Sequence, residues 1–134
     1  MSDISKKIQR PLSPHLQVYK LPLTAMMSIT HRITGAGLSA GTVLVTAFLL
    51  AAASGEAEYN FVAGIASSLL GEVVIFLWSL ALYFHMCNGV RHMIWDTGRL
   101  LEKDKAMQAN YVVLIVAFTL TVATWAYACG SYTN

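Results

Sequence analysis

The chain of 134 residues carries little charge: Asp, Glu, Lys and Arg together make up 12%, about half the usual share in a soluble domain. Cysteine is scarcer still. Cys87 and Cys129 are too few for a disulfide framework or for the four-thiolate set of an iron–sulfur cluster. No dinucleotide-type glycine motif is present, so neither a flavin nor a cluster site is expected in this chain. The net charge of +2 gives no reason to expect a nucleic-acid partner. The first ten residues are polar, include Asp3, lack an apolar stretch and are not rich in Arg and Ser. Neither a secretory signal nor an obvious transit peptide is therefore expected.

Hydrophobic residues, by contrast, make up 56% of the chain, and the mean hydropathy is +0.56. They gather into three long runs, which predicts an all-α membrane protein of a single anchor domain with three transmembrane helices. Residues 1–21, with Pro11, Pro14, Lys6, Lys7, Arg10 and Lys20, read as an extended polar segment on the membrane surface or on a partner. Pro22 suits a first helical turn. The first helix is expected over about 24–53, and Gly37 and Gly41 within it form a small-xxx-small pair that lets a neighbour approach. A short acidic loop over 54–60 follows, with Glu56 and Glu58. The second helix is expected over about 61–96. It is too long for one perpendicular crossing, so Glu72 is placed near one interface with 61–71 as an outer extension. A charged loop over 98–110 leads to the third helix, about 111–130, where Trp125 and Tyr127 read as interface aromatics.

Ionisable groups inside such runs point to a site. They concentrate in His85-Met86-Cys87-Asn88-Gly89-Val90-Arg91-His92-Met93-Ile94-Trp95-Asp96, where His85, Gly89, His92 and Asp96 share one helical stripe. A histidine with glycine one turn on suits a flat macrocycle: the imidazole reaches a metal and the missing side chain leaves room. Snorkelling to the interface accounts for Arg91 and Arg32 equally well but accounts poorly for His85, which is deeper. An interhelical hydrogen bond is the other reading of a lone membrane histidine.

Nearly all the Lys and Arg lie in the N-terminal segment and the 98–110 loop, Arg32 and Arg91 apart, and none lies in the 54–60 loop or the C-terminal tail. The positive-inside rule therefore puts the N-terminus inside and the C-terminus outside. The start of the first helix (Ser28, His31, Arg32) and the end of the second then meet toward the inner face. Cys87 and Cys129 fall toward opposite faces, and no disulfide is expected. With Glu72 at the outer boundary, His85 lies about 20 Å inward at 1.5 Å per residue. A b-type haem on His85, non-covalent because no C-x-x-C-H is present, would sit in the inner half of the membrane. Its propionates would face His31, Arg32, Arg91 and His92, since Arg suits carboxylates. His31 lies too near the surface to be a comfortable second axial ligand, so a second subunit is expected to supply it.

Three motifs, Arg10-Pro11-Leu12-Ser13-Pro14-His15-Leu16, Ser28-Ile29-Thr30-His31-Arg32-Ile33-Thr34-Gly35 and His85-x-x-x-Gly89-x-Arg91-His92-x-x-x-Asp96, resemble those of the cytochrome b556 subunits of succinate dehydrogenase, respiratory complex II. The resemblance implies one haem b on His85, shared with a second hydrophobic anchor subunit in a helical bundle. It implies a ubiquinone-reduction site at Ser28 and Arg32, with Asp96 close to its quinone end as a candidate for proton supply, and His31 and His92 near the propionates. It also implies iron–sulfur and flavoprotein partners, and a role in the respiratory chain and tricarboxylic acid cycle. The enzyme label belongs to the assembled succinate:ubiquinone oxidoreductase; this chain alone is expected to be inactive. A bacterial inner membrane is the expected location, with the mitochondrial inner membrane as alternative. A haem-free structural anchor and a fumarate reductase anchor are the competing functions.

Overall fold

The computed structural model describes residues 20–132; the expectations for the N-terminal polar segment and its Arg10–Leu16 motif lie outside them. Four helices follow in order: α1, Leu23–Ser54; α2, Glu56–Ala66; α3, Leu69–Asp96; and α4, Lys103–Tyr132. Three of them (α1, α3 and the Lys103–Ser131 part of α4) are long and apolar enough to cross a membrane. The chain is therefore an all-helical membrane protein with three candidate spans.

The polar connections depart from the sequence reading. The acidic stretch over 54–60 is not a loop. Only Gly55 interrupts the helix, at φ 147°, a backbone conformation that favours glycine. Glu56 and Glu58 then form the first turn of α2, where carboxylates complement the helix dipole. The expected continuous run over 61–96 is broken at Ser67–Ser68. The Ser68 hydroxyl accepts a hydrogen bond from the Gly71 N–H at 3.1 Å, an N-cap that starts α3 afresh. The corner is tight enough that a Cβ on Gly71 would overlap the carbonyl of Ile65. At the other end, α4 begins at Lys103 inside the expected 98–110 loop. Asp104 suits its first turn, and Lys105 meets Glu102 at 3.0 Å, an exposed pair worth little in stability.

The spans pack antiparallel in sequence. Early α1 meets late α3 where the rings of His31 and His85 stack; late α1 meets early α3 where Gly41 lies under the Trp78 indole. α3 and α4 are joined by Trp125 Nε1, which donates to Ser79 Oγ at 3.0 Å, and by the Tyr83 and Thr124 hydroxyls at 2.7 Å. Asn110 Nδ2 donates to Thr24 Oγ1 at 3.0 Å and closes the bundle between α1 and α4. The turn between α3 and α4 uses left-handed backbone at Gly98 and Leu100. Trp95 Nε1 holds it by donating to the Leu100 carbonyl at 3.1 Å.

Burial is inverted relative to a soluble domain. Ile33, Val43, Leu69, Leu70, Phe118 and Tyr127 are widely exposed, while Asn88, Arg91, Asn110 and Thr121 are buried beside Met27, Phe84, Val113 and Ala117. Lipid is as apolar as the side chains, so association rests on packing, small residues and interhelical hydrogen bonds. Cys87 and Cys129 are both free.

Of the two glycines of the small-xxx-small pair, Gly37 faces open space and Gly41 lies against Trp78. Gly41→Leu would drive the indole off α1 and is expected to destabilise the α1–α3 pair by about 1–3 kcal/mol. Thermal unfolding in detergent should report this as a lowered midpoint, while Gly37→Leu should leave the midpoint unchanged.

Candidate functional site

The site lies where one turn of α1 crosses the last turns of α3. His31, Thr34 and Gly35 share a face of α1 at helical spacing; His85, Gly89 and His92 share one of α3. The His31 and His85 rings stack with centroids 3.9 Å apart and planes 10° from parallel. His92 lies 5.2 Å from His31, so three imidazoles line one seam between the helices.

Gly35 makes this approach possible. A Cβ on Gly35 would stand 2.9 Å from His85 Cε1, closer than two carbons tolerate. A Cβ on Gly89 would meet His31 Cε1 at 4.0 Å, an ordinary contact, so the packing here does not itself require glycine at 89.

His85 is oriented from one side. Its Nδ1 lies 3.1 Å from the His31 carbonyl oxygen, which only accepts, so Nδ1 carries the proton. The Thr34 hydroxyl is 3.3 Å from the same nitrogen and itself donates toward the carbonyls of Thr30 at 2.8 Å and His31 at 3.0 Å. Committing Nδ1–H to a carbonyl leaves the lone pair on Nε2 for a metal. Among the described residues no group of three or more His, Cys, Asp or Glu gathers in a metal-holding cluster. What the seam offers is one oriented imidazole.

The remaining predicted residues fall around this seam. Ser28 is half-buried and Arg32 exposed, one turn apart on α1 beside His31; Asp96 is exposed as the last residue of α3. Arg91 takes another direction. Six residues on from His85 is about 120° off its stripe. The guanidinium, only 2% exposed, lines a groove between α3 and α4 and packs 4.4 Å from the centre of the Trp95 ring. The sequence reading groups Arg91 with the propionate-facing residues; its side chain lies instead on the α4 side of α3. Trp95 also meets His92 edge-on at 5.2 Å and so links the seam, the groove and the following turn. Thr34, Gly35 and Trp95 were not singled out as site residues, although all three stand inside the quoted motifs. Their cue was position beside a histidine one turn away.

The profile of the succinate dehydrogenase/fumarate reductase transmembrane subunits matches residues 6–124. The chain belongs to this family. It is 39% identical to the succinate dehydrogenase cytochrome b556 subunit of Paracoccus denitrificans, over 92% of this chain and 95% of that one. To the cytochrome b560 subunit of Reclinomonas americana it is 35% identical, over 91% of this chain and 88% of the relative. To the mitochondrial b560 subunit of Bos taurus it is 38% identical, over 86% of this chain and 69% of the relative. As a member of this transmembrane-subunit family, the chain has its seam on the two helices that carry the family-like motifs.

Gly35→Val is expected to break the His85–His31 contact without unfolding α1. The check is hydrogen-exchange or NMR protection of the His85 Nδ1 proton in the detergent-solubilised chain. Persistence of a protected Nδ1 proton in the variant would refute the steric role given to Gly35.

Proposed function

We infer that this chain is the cytochrome b membrane-anchor subunit of succinate dehydrogenase, complex II. The observation that carries the reading is the oriented His85, its Nδ1 held by the His31 carbonyl and its ring admitted by Gly35, in a chain of this family. The relatives described above are all named for succinate dehydrogenase, which favours the succinate-oxidising complex over a fumarate reductase.

The residues fit a single haem b. His85 Nε2 would bind its iron, and a second hydrophobic anchor subunit would help to hold it. When bound, the haem would offer a one-electron carrier inside the membrane. Around it, His31 and His92 would offer ring N–H donors to the propionates, and Arg32 a cation suited to carboxylates at the membrane boundary. The buried His31 Nδ1, without a hydrogen-bond partner, is available for that contact. Arg91, directed to the α3–α4 groove, is not assigned this role.

Ubiquinone reduction needs two electrons and two protons. The electrons come from the flavoprotein and iron–sulfur subunits; this chain would help to hold the quinone head. The Ser28 hydroxyl would donate to a quinone carbonyl oxygen. Arg32, one turn on, would stabilise negative charge as it develops there. Asp96, exposed at the end of α3, would pass protons from water. The distribution of Lys and Arg supports the inner side for this end of the bundle and three crossings of a bacterial inner membrane, with the C-terminus outside.

Ser28→Ala or Arg32→Leu should lower quinone reductase activity of the complex by about 10²-fold per lost donor, with succinate oxidation by a soluble dye acceptor retained. Full quinone reduction in both variants would remove them from the site. A reduced-minus-oxidised spectrum of the purified complex should show a b-type α-band that is lost or shifted in His85→Ala. An unchanged band would give the iron to other ligands; no band in the parent complex would leave a haem-free anchor.

A further inference from the structure

The α3–α4 groove carries a charge that nothing in the described residues neutralises. Arg91 lines it and is 2% exposed, yet Nε and both terminal nitrogens have no hydrogen-bond partner. Trp95 covers the guanidinium from one face at 4.4 Å. That contact spends the π-face and leaves the in-plane N–H groups, which are the ones that hold an oxyanion in bidentate fashion. The only ion pair among the described residues is Lys105–Glu102, so no carboxylate of the bundle answers Arg91. An unpaired guanidinium at membrane depth is expensive, and the groove is where its partner must come from.

The rest of the groove describes that partner. Its volume is about 460 Å³. Lys105 and Gln108, from the first turns of α4, line the same end as Arg91, near the turn between α3 and α4; Val90, Val112, Val113 and Val116 line its walls. A basic, hydrogen-bonding end joined to an aliphatic channel matches one phosphate head with its attached acyl chain. Basic pockets between transmembrane helices on the cytoplasmic side receive anionic lipid headgroups in this way.

We propose that the α3–α4 groove is a binding site for an anionic phospholipid of the inner leaflet, with the headgroup phosphate on Arg91 and an acyl chain along the α4 valines. The lipid would neutralise Arg91 and seal the bundle on the side away from the histidine seam. The proposal rests on the chain spanning the membrane with this end of the bundle inside, as read above; it does not depend on haem or quinone.

The test uses the intact complex, stripped by exchange into detergent, incubated with phosphatidylglycerol or phosphatidylethanolamine, and analysed by native mass spectrometry. The parent should retain phosphatidylglycerol in preference to phosphatidylethanolamine. Arg91→Gln should lose that preference, and Arg91→Lys should keep part of it. Val116→Trp, which fills the channel and leaves the charge, should lose the bound lipid with the b-type spectrum unchanged. Because Val116→Trp does not disturb the buried cation, it decides the matter if Arg91→Gln does not assemble. Equal retention of both lipids by the parent, or undiminished phosphatidylglycerol in Val116→Trp, would overturn the proposal. So would exclusion of lipid by a partner subunit, seen as cross-linking of Val112→Cys to that subunit in place of lipid retention.

Discussion

The bond between His85 Nδ1 and the carbonyl of His31 is the interaction around which the bundle is arranged. It sets the tautomer of a membrane-embedded imidazole and fixes the distance between α1 and α3. It is possible only because Gly35 offers no Cβ to the His85 ring. Further along the same interface, Gly41 makes the corresponding concession to Trp78. Two missing side chains thus let two backbones approach where the chemistry needs an imidazole held from behind and free in front.

The remaining packing follows from the solvent. In lipid, apolar side chains gain little by leaving the surface, and the helices are held by the groups that lipid cannot satisfy. Asn110 on Thr24, Trp125 on Ser79 and Tyr83 on Thr124 are such contacts, the first at the start of α1 and the other two one turn apart along α3. Arg91 and Asn88 stand apart: both are buried, and no polar atom of either side chain has a hydrogen-bond partner among the described residues. Arg91 and the histidines sit on different sides of α3, so one helix serves two surfaces, the seam toward α1 and the groove toward α4.

Much of this was legible in the primary structure. Hydropathy alone marked three apolar runs, and the 3.6-residue period put His85, Gly89 and His92 on one stripe, where they line the seam. The break at Ser67–Ser68 was hidden, because two serines in an apolar run carry no helix-breaking penalty; the break arises from a cap and a tight corner that only Gly71 admits. The helical start of α4 was hidden for the opposite reason. Lys103, Asp104 and Lys105 resemble a solvated loop, yet they continue as helix until Asn110 reaches Thr24. Arg91 follows a different course from the adjacent His92 and lines the α3–α4 groove, because neighbours in sequence point about 100° apart on a helix.

The sequence by itself determined that the chain crosses a membrane, which end of it holds the ionisable groups, and that His85 is the residue to explain, because hydropathy and helical period are local properties. Only the tertiary structure decided that the His31 carbonyl, rather than a side chain, orients His85, and that Arg91 belongs to a separate groove. Those outcomes depend on which helix lies across the site and how closely it can come, and that distance is set by glycines whose partners are fifty or so residues away in the chain.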